Sequence, residues 1–259
     1  FFFTQKTAYD IGVRLVGSEM CIRDRIDTQA GRVNGVVTEH GRIRCNTVIV
    51  AAGAWTSPFL RNLGIRLPQL KVRSSAFRTH PLPGGPEVSI YASGFAVRKR
   101  ADGGYTIALG GRTRIPYDIT PDSFRYVRDF LSLAWMSRKS LRLRLSGRFL
   151  TEQRYASRWD HQQRTIFEEE RILNPTPVMK LLQQAQRNIA TAIPSFENLS
   201  VAERWAGMID VTPDAVPVIS EVPQQPGFFL ATGFSGHGFG IGPAAGELAA
   251  DLVLSLIHI

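Results

Sequence analysis

One stretch constrains this chain more than any other. Phe228–Val253 reads FFLATGFSGHGFGIGPAAGELAADLV. An apolar, strand-like run leads into Gly233, Gly236, Gly238, Gly240 and Gly242, and an alanine-rich helical run follows with Pro243 near its first turn. Glycine at that density is wanted where the backbone itself must come close to another group. A strand, a glycine loop and a helix start, in that order, aim unpaired N–H groups and the positive end of a helix dipole at one spot. Such a junction suits an anion or an electron-rich carbonyl. A nucleoside triphosphate loop needs Gly-Lys-Ser/Thr, which is missing here. Gly240-x-Gly242-x-x-Ala245 matches the dinucleotide fingerprint only in form, because no second strand with an acidic ribose ligand follows it in the sequence. A glycine-rich turn that holds no ligand is the alternative.

The remainder reads as strands around a mixed insert. Residues 31–54 alternate apolar and polar side chains between glycine and asparagine turn signals, which predicts strands and a hairpin turning near Glu39–Gly41. Residues 47–52 are apolar on both faces, the pattern of a buried central strand. They run into Gly53-Ala54-Trp55-Thr56-Ser57-Pro58, and a short helix is expected over residues 57–63. Residues 72–79, 88–91, 94–99 and 105–110 are strand candidates, with Asp102-Gly103-Gly104 as a hairpin turn. Thr120-Pro121-Asp122 marks a helix start. Phe124, Val127, Leu131 and Ala134 would share one face of that helix, which should reach about Trp135. A further helix is expected over residues 177–193, stopped by Pro194, before strand character returns at 198–218 and 227–232. No period of about 20 to 50 residues recurs, which excludes a solenoid. The expected layout is discontinuous, with residues 26–66 and 198–254 in one part and residues 67–197 inserted as the other.

Composition narrows the function classes. Hydrophobic residues make up 44% and charged residues 20% of the 259, which excludes collagen, coiled coil and wholesale disorder. No apolar run approaches the ~18 residues of a transmembrane helix. The net charge of +9 is local: residues 96–164 hold 15 Lys and Arg against 6 Asp and Glu, the whole excess of the chain. Arg138, Lys139, Arg142, Arg144 and Arg148 stand at its centre. Such a patch can attract nucleic acid, an acidic membrane surface or an anionic substrate. No nucleic-acid motif and no interleaved stacking aromatics accompany it, so a solvated helix face or a contact with an acidic partner chain is expected, and no nucleic acid. Cys21 and Cys45 cannot build a disulfide framework or a four-ligand zinc site, which reads as a reducing, cytoplasmic setting. His40, His80 and His161 lack ligand spacing, so no metal is expected.

Both ends break the pattern. Residues 1–25, FFFTQKTAYDIGVRLVGSEMCIRDR, show no helical or strand period and lack the parts of a signal peptide. They resemble translated sequencing-adapter sequence, as does LSLIHI from Leu254. Residues 1–25 and 255–259 are therefore expected to be non-native, in a chain truncated at its start, and no function is placed there. A short natural leader is the alternative.

Together with ERWAGMIDVTPDAVPVIS (Glu203–Ser220) and VIVAAGAW (Val48–Trp55), the glycine stretch resembles the FAD-dependent oxidoreductases of the D-amino acid oxidase type. That family includes glycine oxidase, sarcosine oxidase and D-amino acid dehydrogenase. The resemblance covers nearly all of residues 31–253, and TGFSGHGFG is its most diagnostic element. It implies a mixed α/β (α+β) fold, in which an incomplete Rossmann-like FAD-binding domain carries an inserted, sheet-based substrate domain. It also implies that the glycine loop lies beside the flavin, where backbone donors and the helix dipole favour negative charge near N1–C2=O. Carried over residue by residue, the cofactor candidates are Gly233, Ser235, Gly236, His237, Gly238, Phe239, Gly240 and Ile241, with Ala52, Gly53, Ala54 and Trp55 on the other side. Gly207 occupies the position where sarcosine oxidase-like members tether the flavin through cysteine, so FAD is expected to be non-covalent. The lysine those members place after Gly-His-Gly-Phe is Gly240 here. The arginine that glycine oxidase-like members use for the substrate carboxylate has no counterpart near Met208–Asp210. The family's opening GxGxxG is not found, so this chain is expected to hold FAD poorly or not at all and to be inactive alone.

The resemblance implies oxidation of a C–N bond in a small amine or amino-acid substrate, by hydride transfer to flavin N5 and hydrolysis of the resulting imine. His237, Tyr91 and Arg98 are the catalytic candidates. His237 would lie near the ring or the substrate, or would instead fix the loop by hydrogen bonds. Arg98 would bind a carboxylate, or would be a solvated strand residue. Asp214 reads as a turn residue and Trp205 as core or pocket wall. Two rivals stay open: C–O oxidation of a 2-hydroxy acid, and a non-catalytic fragment or binding module that uses the arginine-rich insert. The oligomeric state has no sequence signature.

Overall fold

The computed structural model describes residues 22–255 apart from 39–40, 112–114, 156–157, 160–164 and 171–172. In chain order the elements are β1 (Ile22–Gln29), β2 (Arg32–Thr38), β3 (Gly41–Ile43), β4 (Val48–Val50), α1 (Thr56–Asn62), β5 (Leu70–Thr79), β6 (Ile90–Ala92), β7 (Phe95–Lys99), β8 (Tyr105–Ala108) and β9 (Ile115–Asp118). Then come α2 (Pro121–Arg125), α3 (Val127–Ser137), β10 (Leu141–Arg144), α4 (Arg148–Gln153), α5 (Ile166–Glu169), α6 (Met179–Ala192), β11 (Val201–Val211), β12 (Val218–Glu221), β13 (Phe228–Thr232) and α7 (Gly238–Val253). The tip of the turn expected at 39–41, with His40, lies outside the described residues, as do His161 and most of the expected leader and tail. β1 nevertheless begins at Ile22, ahead of the boundary drawn at residue 26.

Two compact units emerge, each assembled from separated pieces of chain. The first takes the described residues up to Leu70, then Leu150–Leu173, then those from Asp210 onward; the second takes Lys71–Phe149 and Asn174–Ile209.

In the first unit, β1 turns into β2 through Ala30 and Gly31, both at positive φ (50° and 75°), the backbone of a two-residue hairpin turn. A second sheet has the order β12-β13-β4, with β12 antiparallel and β4 parallel to β13. β4 is shorter than the apolar run suggests, and among the described residues it stands at the edge of its sheet rather than at the centre. It pairs on one side only among the described residues, so its alternate side chain Ile49 stays 44% exposed. α7 lies over β12 and β13 and buries Ala245 and Ala249, one turn apart. Because α7 starts at Gly238, Pro243 falls in its second turn rather than its first, and the carbonyl of Phe239 loses its i+4 donor. Trp55, Phe59, Leu60, Phe228 and Leu230 build the core with Trp159 and Phe167. The Phe167 ring meets Trp55, Phe59 and Trp159 edge-on, at centroid distances of 5.2, 6.2 and 5.6 Å. The sequence pattern puts Leu150–Leu173 in the insert; it packs in the first unit because it carries these two core aromatics.

The second unit holds a five-stranded sheet of order β11-β5-β8-β7-β6. The expected turn at Asp102 closes with the Gly104 N–H donating to Asp102 Oδ1 at 3.0 Å and Gly103 at φ 81°. Register sets Phe77, Ile107 and Val97 side by side on one face, where α6 packs Leu182, Ala185 and Ile189. A capping box between Thr120 and Ser123 opens α2, as the sequence suggests. The single helix expected to reach about Trp135 is two, α2 and α3, divided at Tyr126. Tyr126 and Phe130 pin α3 inward, while Val127, Leu131 and Trp135 are 50%, 59% and 69% exposed. The periodic apolar face is real, but it points outward.

Candidate functional site

The loop after β13 is built by its glycines. Gly233 sits at φ 78°, and a Cβ there would come within 2.5 Å of Thr212 Cγ2. Ser235 (φ 52°) and Gly236 (φ 89°) continue the left-handed turn into His237, the N-cap of α7. Most of the loop amides are committed internally. The Gly233 N–H donates to Asp210 Oδ2 at 2.6 Å, Ser235 N–H to the Asp210 carbonyl at 3.0 Å, and His237 N–H to the Phe234 carbonyl at 2.8 Å. Gly240 and Ile241 both donate to the His237 carbonyl, at 3.1 and 3.3 Å. The N–H groups of Gly236, Gly238 and Phe239 have no partner among the described residues. They stand at the positive end of a 16-residue helix. The surroundings are open: Phe239 is 77% exposed, and a Cβ at Gly240 or Gly242 would meet nothing within 4 Å.

A buried polar network joins this loop to the turn at residues 53–57. Thr232 Oγ1 lies 3.4 Å from the Gly53 carbonyl, 3.1 Å from Thr56 Oγ1 and 3.1 Å from Asp210 Oδ2. Gln69 Nε2 reaches the Gly53 carbonyl at 3.2 Å, Asp210 Oδ2 at 3.2 Å and Thr232 Oγ1 at 3.0 Å, while its Oε1 accepts the Ser57 N–H at 3.0 Å. Thr56, Gln69 and Thr232 are buried. Buried polar groups persist where they find partners, and these ones fix the two turns side by side. Sequence reasoning missed Thr56, Gln69 and Thr232 and saw Asp210 only as a missing arginine. The available signal was weak: a glutamine between Pro68 and Leu70, and a threonine ending an apolar strand.

The candidates read from sequence fall into two groups. Ala52, Gly53, Ala54 and Trp55 form a tight turn in the first unit. Ala54 is buried and the Trp55 indole belongs to the aromatic core, so this turn presents backbone outward, chiefly at Gly53 (φ 52°), where a Cβ would meet nothing within 4 Å. His237 is exposed, and its ring makes no hydrogen bond among the described residues. Tyr91, Arg98 and Gly207 lie in the second unit. Tyr91 pairs with Ala96 and Arg98 with Thr106, so both side chains share the sheet face opposite Phe77, Val97 and Ile107. Ala76, Ala108 and Ala96 form a cross-strand row on that same face. Asp214 acts as a turn residue, accepting the Val216 N–H at 3.1 Å.

Open positions at Gly53, Gly240 and Gly242, with three unpartnered amides at a helix start, suit the electron-rich edge of a flat ring. A family model for FAD dependent oxidoreductases, DAO, matches residues 6–252, and the chain belongs to that enzyme family. Glycine oxidase of Pseudomonas aeruginosa is 25% identical over 224 residues, which cover 86% of this chain and 45% of the relative. D-amino acid dehydrogenase of Bradyrhizobium diazoefficiens is 26% identical over 257 residues, covering 97% and 47%. Among solved structures, the L-amino acid deaminase of Proteus myxofaciens in complex with anthranilate superimposes with a TM-score of 0.85 at 31% identity, covering 92% of this chain and 52% of that one. The chain thus spans about half the length of the relatives it matches. Its mixed helix and sheet fold is that of FAD-dependent amino acid oxidising enzymes. No helix among the described residues is long and apolar enough to cross a membrane.

Proposed function

We propose that this chain forms the flavin-contacting part of an enzyme that oxidises a C–N bond in an amine or amino acid. One observation carries the reading: Thr232 and Gln69 hold the Gly53 turn against the glycine loop while the amides of Gly236, Gly238 and Phe239 stay open. Those donors would hold the electron-rich edge of non-covalent FAD, and Gly53, Gly240 and Gly242 would leave room for the ring. FAD, when bound, supplies the two-electron acceptor that turns a C–H beside nitrogen into an imine. The chain's own contribution is electrostatic. Its amides are already oriented, so no reorganisation is needed when negative charge develops at the ring edge. Asp210 Oδ2 meets three neutral donors, Gly233 N–H, Gln69 Nε2 and Thr232 Oγ1, which fix the shape of the loop that presents those amides.

In this reading residues 26–66 and 198–254 serve the cofactor, and residues 67–197 mainly the substrate. Tyr91 and Arg98 are the proposed lining, with Arg98 for a carboxylate and the row Ala76, Ala96 and Ala108 as a low floor. The names of the relatives, glycine oxidase, D-amino acid dehydrogenase and L-amino acid deaminase, support an amino-acid substrate. The test joins the chain to the half of the Proteus deaminase that it does not match and follows flavin absorbance. Turnover of glycine, D- and L-amino acids and 2-hydroxy acids is then measured with a dye acceptor. Flavin uptake with amino-acid turnover is expected. Turnover of 2-hydroxy acids alone overturns the C–N assignment, and failure to take up flavin overturns the site.

A further inference from the structure

The outward face of α3 combines two features that seldom share a solvated helix. Val127, Leu131 and Trp135 follow one another at i, i+4 and i+8 and are 50%, 59% and 69% exposed. Arg138 continues the same line. Its guanidinium lies 4.3 Å from the Trp135 ring centroid and donates to the Trp135 carbonyl at 2.9 Å. Arg128 flanks the stripe, and Lys139 and Arg142 follow it, all exposed and without a partner among the described residues.

The charge around this face is one-sided. Residues 123–149 contain seven Lys and Arg and a single acidic residue, Asp129. The two carboxylates that precede this stretch in the sequence are engaged: Asp122 accepts Arg125 Nη1 at 2.7 Å, and Asp118 accepts Arg144 Nη2 at 2.6 Å and Arg73 Nη2 at 3.0 Å. We propose that this face docks on an anionic membrane surface, with α3 lying in the plane of the headgroups. The helix has 11 residues, about 16 Å at 1.5 Å per residue, and so lies on a bilayer rather than across it. A nucleic acid would use the cations and leave Val127 and Leu131 in water. A lipid surface accepts both, because phosphates meet Arg128, Arg138 and Lys139 while the apolar stripe enters the acyl boundary. The Trp135–Arg138 stack puts an interfacial ring and a cation at one depth, with the arginine stem able to reach outward.

The experiment floats the full chain with phosphatidylcholine vesicles and with vesicles containing phosphatidylserine. Binding to the anionic vesicles at least about tenfold tighter is expected, weakening as salt rises. Brominated lipid should quench tryptophan emission, and W135F should remove that quench. Leu131→Glu with Trp135→Glu should cost about tenfold or more in binding with an unchanged thermal melt, because both side chains are exposed. If that pair perturbs the fold, R138Q with K139Q and R142Q reads the electrostatic half of the surface alone and should abolish the preference for anionic vesicles. Absence of vesicle binding, or equal binding to both vesicle types, overturns the proposal. So does a dimer, detected by sedimentation, that the Leu131 and Trp135 substitutions dissociate.

Discussion

Asp210 in the first unit and Asp118 in the second both anchor polar interiors, but with different partners. Asp210 faces neutral donors: the Gly233 amide, the Gln69 carboxamide and the Thr232 hydroxyl. Asp118, 7% exposed, faces two guanidiniums, Arg73 and Arg144, and Arg73 goes on to the Thr176 carbonyl at 3.2 Å. Neutral donors fix a shape without cancelling charge; guanidiniums cancel charge, and their own burial is tolerable only while the carboxylate is there. The first arrangement suits a loop whose backbone must present donors, the second a joint between β5, β9 and β10.

The largest break in this comparison should come from Asp118→Ala. It strands Arg73, whose side chain is 14% exposed, and should cost about 3–5 kcal/mol, read as a lowered urea midpoint. Replacing Asp118, Arg73 and Arg144 together by apolar residues should recover much of that loss; if the triple variant is no better than the single one, the ion-pair account fails. Next comes Gly233→Ala, which combines φ 78° with the 2.5 Å approach to Thr212 Cγ2 and should cost about 1–3 kcal/mol, visible in the melting temperature. Asp210→Asn keeps the shape and removes the charge. A loss of about 1.5 kcal/mol is expected, with faster hydrogen exchange at the Gly233 amide and little change elsewhere. The smallest effect belongs to a third carboxylate, the exposed Asp102. The Gly104 N–H, then Arg100 and Arg78, hold its carboxyl below the usual range. Its stabilising share is complete above the unfolded carboxylate pKa of about 4 and disappears as pH falls through the lower folded value. Asp102→Asn should therefore cost less than about 1 kcal/mol at neutral pH, and the difference from the parent should vanish in acid.

What could be read from sequence were features decided within a few residues. The Asp102 turn and the Thr120 capping box are local chemistry, and both formed. The glycine loop was visible because left-handed backbone is written mostly in glycine. The network behind it was not, since Gln69 meets Asp210 across 141 positions and Thr232 across 163. The same limit explains α3: periodicity located an apolar face but carried no information on what, if anything, covers it. It explains Trp159 and Phe167 too, which join a core whose other members lie in distant stretches of chain.

Thr232 has a single proton and several acceptors around its oxygen. A hydroxyl so placed can swivel from the Gly53 carbonyl to the Asp210 carboxylate without moving any main-chain atom. The two turns are thereby joined by a bearing rather than a weld, and a disturbance on one side can be relayed to the other by rotation about a single C–O bond.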